Sequence, residues 1–227
     1  MALNKTKGNM YEWVTHTLNL IKGKCFHDCN YCFMKKMLRG RIQSDLRIDE
    51  TEFKTDLGTN NIIFVGSSTD DWAKDVPSDW ISRMLDHCNK FSGNSYLFQS
   101  KNPARFLEFV DHPVMKNAVF CTTIETNRDD FSISQAPPMI ERAQAMAEMK
   151  ARGFQTYVTA EPLMDFDLDE MVNLLLMCQP NQVNLGKNTN YMVQLPEPTP
   201  EKFKALIEAL EQHTTVKVKK NAKKWLE

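Results

Sequence analysis

Asn61-Ile-Ile-Phe-Val-Gly66, running on into Ser67-Ser68-Thr69-Asp70-Asp71, is the stretch from which the fold is read. Its unbroken apolar run leaves neither face of a strand polar, the pattern of a strand covered on both sides. Gly66 ends the run, and every one of the next five residues is polar. A buried strand opening into a polar loop is the first half of a βα unit. The same pattern recurs in both directions. Thr15–Leu20 reads as a strand before it, and Ser95–Ser100, Ala118–Glu125, Phe154–Ala160 and Gln182–Gly186 as strands after it.

Helical patterns separate these strands at Trp80–Phe91, Pro103–Val110, Pro138–Arg152, Leu168–Cys178 and Thr199–His213. Their ends carry the expected punctuation. Ser78 or Asp79 is an N-cap, Pro103 and Pro200 open helices, Thr199 caps one, and Gly153 stops one. A short strand at Val216–Val218 follows. Six strand–helix alternations predict an α/β protein with parallel strands joined by right-handed crossovers, in a single domain over 1–227. So few units predict an open arc, a partial (β/α)6 TIM-like barrel, with a doubly wound sheet as the alternative. Either architecture places chemistry at the C-terminal ends of the strands.

Composition narrows the function. Among 227 residues, 42% are hydrophobic and 25% charged, with a formal net charge of −1. That balance excludes a global basic footprint for nucleic acid. A local one remains in the C-terminal tail 214–227, where Lys217–Lys224 holds five lysines, though a solvated terminus explains it equally. Six cysteines without regular spacing are not a secreted disulfide framework. Met-Ala-Leu-Asn-Lys-Thr-Lys-Gly at the start lacks an apolar signal core, and no 18-residue apolar run occurs. The expectation is a soluble, cytoplasmic protein without membrane contact.

The strand-end rule then picks out candidates. Strand two ends in Gly66, Ser67, Ser68 and Asp70, and strand three in Ser100 and Lys101. Strand four ends in Thr123 and Glu125, strand five in Glu161, and strand six in Lys187. Each has a plainer reading: Glu125 or Glu161 as a salt-bridged rim residue, Lys187 as an exposed turn lysine. Cys121 shares a strand face with Thr123 and Glu125 by the period of two. It is a candidate catalytic hydrogen donor, weighed against a merely buried small side chain.

The first strand leads into a loop, 21–33, holding Cys25-Phe-His-Asp-Cys29-Asn-Tyr-Cys32. Three readings compete for these thiols: ligands of a 4Fe-4S cluster with one iron left open, ligands of zinc with His27 or His16 as the fourth, or unrelated thiols. Structural zinc sites take four protein ligands, commonly in paired C-x2-C knuckles, which this spacing lacks. Thiolates hold iron–sulfur clusters, and three of them leave one iron for a substrate.

Cys25, Cys29 and Cys32, with Tyr31 before the third, resemble the hallmark of the radical S-adenosylmethionine (radical SAM) superfamily. Glu12–Thr17, Asp70…Asp75-Val76-Pro77 and Glu161-Pro162-Leu163 extend the likeness to a phage-associated branch related to spore photoproduct lyase, over roughly residues 11 to 190. The resemblance implies a 4Fe-4S cluster held by Cys25, Cys29 and Cys32, with S-adenosylmethionine (SAM) on the fourth iron. Reductive cleavage of SAM would yield a 5′-deoxyadenosyl radical that takes hydrogen from a substrate. It implies Tyr31 beside the adenine and Glu125 and Thr123 on ribose hydroxyls. It implies Lys101 or Lys187 on a carboxylate, and Ser67, Ser68 or Asp70 on the SAM ammonium. Gly66-Ser-Ser-Thr-Asp70 departs from the Gly-Gly-Glu-like stretch usual there. The implied partners are a small-molecule, nucleotide or nucleic-acid substrate and an electron donor such as flavodoxin or ferredoxin. Glycyl-radical activation or peptide modification is the rival within enzymes, and a zinc-stabilised nucleic-acid-binding module the rival outside them.

Overall fold

In the computed structural model, which describes residues 3–130 and 132–227, ten strands and five α-helices follow one another. The first two residues of the N-terminal octapeptide therefore lie outside the described residues. In chain order the strands are β1 (Asn4–Lys5), β2 (His16–Leu18), β3 (Ile21–Lys22), β4 (Arg47–Ile48) and β5 (Ile62–Val65). They continue as β6 (Ser95–Ser100), β7 (Ala118–Thr123), β8 (Gln155–Ala160), β9 (Gln182–Leu185) and β10 (Thr215–Val218). The helices are α1 (Phe33–Leu38), α2 (Ser78–Asn89), α3 (Met139–Ala151), α4 (Leu168–Met177) and α5 (Pro200–Glu211). No helix among the described residues is long and apolar enough to cross a membrane.

Eight strands form one sheet in the order β1-β2-β5-β6-β7-β8-β9-β10, while β3 and β4 pair separately as an antiparallel ribbon. Only β1 runs antiparallel to its neighbour in the large sheet. The parallel strands follow strict sequence order, so every crossover steps the same way. Right-handed crossovers then stack their helices on one face. A doubly wound sheet needs the order to reverse partway, so that alternative falls. With β1 and β10 at free edges the sheet is an open arc, a partial barrel as expected.

Details differ from the sequence reading. The short last strand becomes a full parallel partner of β9, a seventh unit in the arc. The first strand stops at Leu18, because Asn19 turns its side chain onto Ser67 and Ser68. Pro103–Phe109 tightens into a 3-10 helix, whose Phe106 lies edge-on to the buried Trp72 at 4.8 Å.

Strand alternation divides the core in two. Ile63, Val65, Tyr96, Phe98, Phe120, Val158 and Val183 belong to the large cluster shared with the helices. The neighbouring residues Phe64, Leu97 and Cys121 point the other way and are covered by Tyr11 and Val14. Residues 10–14 thus fill the inner face of the arc, where no helix packs. Tyr11 donates to Gln99 Oε1 at 2.8 Å, and Trp13 meets the Tyr157 ring edge-on at 5.5 Å.

The turn after β5 is sterically fixed. Gly66 has φ +79°, and a Cβ there would stand 2.6 Å from Asp71 Oδ2. We expect Gly66→Ala to lower the urea midpoint of unfolding, at a cost of about 1–3 kcal/mol from the strained backbone alone. An unchanged midpoint would mean that the turn relaxes freely.

Candidate functional site

A cavity of about 710 Å³ opens on the inner face at the C-terminal ends of the strands. Its wall includes Cys25, Cys29 and Cys32, all free thiols, and Tyr31. The cysteine loop is tied down on three sides. His27 Nε2–H donates to Asp70 at 2.9 Å, beyond the end of β5. The loop preceding α3 grips the other edge, with Asn30 N–H donating to Ile133 O at 2.9 Å and Gln135 N–H to His27 O at 2.7 Å. On the third side, Asn190 Nδ2 donates to Cys32 O at 3.2 Å. Asp28, at φ +44°, makes the tight bend that returns the chain toward Cys29. Burial, together with the negative charges of Asp70 and Cys29, pushes the Cys25 thiol up to about 11. A metal centre would have to displace that proton.

Of the expected cofactor contacts, Gly66, Ser67, Ser68, Asp70, Ser100, Lys101, Thr123 and Glu161 line the cavity. Asp70, expected to accept an ammonium, is already saturated. Its carboxylate accepts from His27, from Ser100 Oγ at 2.8 Å, from Lys101 N–H at 2.8 Å and from Trp72 N–H at 3.0 Å. Burial raises its pKa, but His27 and the Lys101 and Ser100 donors outweigh that and hold it below the ordinary carboxylate value. Asp70 is therefore a clamp. Ser67 and Ser68 both point their hydroxyls at Asn19 Oδ1, at 3.2 and 3.0 Å, which leaves their lone pairs free to accept.

Glu125 does not line the large cavity. It is 1% exposed, receives Tyr31 Oη–H and sits 2.8 Å from Arg142 Nη1, with Lys101 Nζ at 3.8 Å. Burial pushes its carboxyl up, but Arg142, Lys101 and Tyr31 together bring it below the ordinary 4.5. The expected ribose contact is thus committed to an internal network that fixes Tyr31. Lys101 faces the cavity with its ammonium 5.5 Å from the Tyr31 ring centre. Thr123 Oγ1, also facing the cavity, accepts from Gln99 Nε2 at 3.3 Å.

Glu161 reaches the cavity within a second network: Lys219 Nζ lies at 2.6 Å, Asn9 Nδ2 at 2.5 Å and Asn221 Nδ2 at 3.3 Å. Burial raises its pKa, and Lys219 offsets that only in part. Besides Glu125, two expected residues stand apart from the cavity. Cys121 is buried beneath Tyr11 beside Leu97, its thiol pushed up to about 12 by burial. Lys187 pairs with Glu197 at 2.8 Å and lies over the Trp225 ring.

Residues that sequence reading missed make most of the framework. Asn19, Arg142, Asn9 and Lys219 carried no spacing signal, since each acts through a partner far along the chain. Ser134 is another, its Oγ 3.1 Å from Cys29 Sγ.

Among the described residues, no three His, Cys, Asp or Glu side chains converge as ligands of a single metal ion. Neither histidine of the zinc reading is set as a fourth ligand: His27 is held by Asp70 and His16 is bonded to Thr15. A cubane makes a different demand, because each thiolate meets its own iron and the cysteines need not share one point. Three free thiols around a cavity wall fit that demand, with Cys88, Cys121 and Cys178 all buried elsewhere.

No family model matches the chain, and no curated protein does. Solved structures of spore photoproduct lyase do. One, a double mutant with bound AdoMet and dinucleoside spore photoproduct, aligns at a TM-score of 0.69 and 11% identity. The match covers 96% of this chain and 80% of that one. Another, a complex with dinucleoside spore photoproduct, aligns at 0.66 and 10% identity, over 93% of this chain and 78% of that one. At such identity the likeness establishes a shared fold.

The Arg142–Glu125 pair generates a test. Arg142→Met should destabilise the fold by about 3 kcal/mol, because it leaves Glu125 buried without its closest cation. A depressed carboxyl contributes stability above its unfolded pKa and loses it as pH falls through the folded one. Acid denaturation curves should therefore show wild type losing this increment below 4.5, and the variant losing less. Parallel curves would remove the pair from the stability of the site.

Proposed function

We propose that this protein is a radical SAM enzyme acting on a nucleotide or on a base within a nucleic-acid strand. The observation that carries the reading is the place of Cys25, Cys29 and Cys32. They stand on the wall of a cavity at the strand ends of a partial barrel, a fold shared with an enzyme solved with AdoMet bound. A 4Fe-4S cluster held by Cys25, Cys29 and Cys32, with SAM bound beside it, would supply one-electron reduction of the sulfonium and, through it, hydrogen abstraction from the substrate.

The protein's own residues supply position and charge. Cys25, Cys29 and Cys32 would hold the cluster, with the Ser134 hydroxyl 3.1 Å from Cys29 Sγ. Tyr31 is held rigid by Glu125 and presents its ring to the cavity. Ser67 and Ser68 offer lone pairs to an ammonium, Thr123 a hydroxyl, and Lys101 a cation for a carboxylate or phosphate. Burial lowers the Lys101 pKa, but Cys29 and Glu125 more than restore it, so the ammonium persists.

The substrate class follows from charge. Lys5, Lys7, Lys24, Lys35, Lys36, Lys101 and Lys219 line the cavity or its mouth. The carboxylates among them are already engaged, Asp28 by Lys24 and Lys35, Asp70 by His27, and Glu161 by Lys219. The remaining excess is positive and suits phosphates. No comparable observation favours glycyl-radical activation.

Anaerobic reconstitution with iron and sulfide, then dithionite and SAM, tests the reading. The wild type should absorb broadly near ~400 nm, in the manner of thiolate-bound iron–sulfur centres, and release 5′-deoxyadenosine. Alanine at Cys25, Cys29 or Cys32 should abolish both. Continued 5′-deoxyadenosine release by those variants would refute the ligand assignment.

A further inference from the structure

The segment that carries the cysteines also carries the chain's charge asymmetry. Between Lys22 and Arg47 there are seven lysines and arginines against two aspartates, in a chain whose net charge is −1. Lys22, Lys24 and Lys35 are paired with carboxylates. Among the described residues, Lys36, Arg39, Arg41 and Arg47 have no carboxylate partner; the three arginines are exposed and Lys36 is half-buried. Between them stand apolar side chains that water would not select: Met37 is 65% and Ile42 97% exposed. Tyr191 and Met192 extend the same surface, since Lys36 Nζ lies 4.4 Å over the Tyr191 ring and donates to Thr189 O. The patch abuts the cysteine loop directly, because α1 begins at Phe33 and the 188–193 loop is bonded to Cys32 O.

We propose that this patch is the docking surface for an acidic, one-electron carrier protein. The inference rests on the function proposed above, in which an electron must enter from outside the chain. In the transfer the carrier loses one electron and the cluster held by Cys25, Cys29 and Cys32 gains it, with no bond made or broken and no proton required. Exposed apolar residues interleaved with unpaired cations match the makeup of a protein interface, which joins apolar contact to charge complementarity. A nucleic-acid strand would use the cations but has little use for the exposed Met37, Ile42 and Met192 among them.

Reconstituted holoenzyme would be driven in parallel by dithionite, which needs no docking, and by reduced flavodoxin, an acidic carrier. Arg39→Glu with Arg41→Glu, and separately Ile42→Asp, should leave dithionite-driven release of 5′-deoxyadenosine unchanged. Both should slow the flavodoxin-driven rate about tenfold and weaken flavodoxin binding measured by calorimetry. Lys90→Glu with Lys116→Glu, next to the opposite ends of the strands, should change neither. Rising salt should slow the flavodoxin-driven reaction alone. Patch variants that keep both flavodoxin rate and affinity would overturn the docking surface. Variants that lose affinity for a single-stranded oligonucleotide while keeping flavodoxin turnover would reassign it to nucleic acid. If wild type releases no 5′-deoxyadenosine even with dithionite, the enzymatic reading fails, and the docking surface with it.

Discussion

One carboxylate, that of Asp70, joins the sheet to the cysteine loop. Its four donors come from three places: His27 in the cysteine loop, Ser100 and Lys101 at the end of β6, and Trp72 in its own turn. A largely buried carboxylate is stable only when its lone pairs are taken. Here the donors that satisfy it also set the position of the loop relative to two strand ends. The electrostatics agree with the geometry, since those donors hold Asp70 ionised against the cost of burial. Gly66 belongs to the same device. Without a side chain at that position, the turn folds back closely enough to seat Asp71 under the β5 terminus.

The remaining networks repeat the device at other strand ends. Glu125, just past β7, gathers Tyr31, Arg142 and Lys101, and thereby connects the cysteine loop to α3. Glu161, just past β8, gathers Asn9, Lys219 and Asn221, and connects the N-terminal segment to the end of the chain. The three acids thus stand past β5, β7 and β8, in order round the arc. An open sheet has no closing hydrogen bonds between its first and last strands. In this protein, side-chain bridges across the inner face and the plug of residues 10–14 supply part of that missing constraint. The N-terminal segment, pinned by Glu161 at Asn9 and by Gln99 at Tyr11, occupies space that further strands would enclose in a full barrel.

The fold was legible because its signals are local. An apolar run ended by glycine, a proline at a first helical turn and a threonine cap each report on their own few residues, and the strands and α-helices stand close to where those signals put them. The reversal of strand order that separates the two α/β architectures is a nonlocal property, so sequence left both open until the pairing resolved them. Site residues divide along the same line. Position at a strand end pointed to Ser67, Ser68, Ser100, Lys101 and Thr123, which line the cavity. It did not reveal whether a carboxylate at that edge was free. Asp70, Glu125 and Glu161 all turned out to be partnered, through Arg142 and Lys219 among others. Those partners lie on a helix face and just past the last strand, where no motif marks them. Cys121 failed differently: the period of two put it on the correct face, but Tyr11 from the far N-terminus covers that face.

That division explains why a likeness of 11% identity can accompany a fold covering nearly the whole chain. Backbone architecture rests on patterns that many residues satisfy, such as any branched apolar side chain in β5 or any small polar cap before α5. On the function proposed above three positions are cluster ligands, and such positions tolerate little exchange, because iron–sulfur clusters are held chiefly by thiolates. Cys25, Cys29 and Cys32 therefore carry chemical information out of proportion to their number. The groups around them, from the Asp70 clamp to the Ser134 hydroxyl, only have to deliver three sulfurs and a charged cavity to the same place. Many sequences can do that, so little identity is needed to preserve the arrangement.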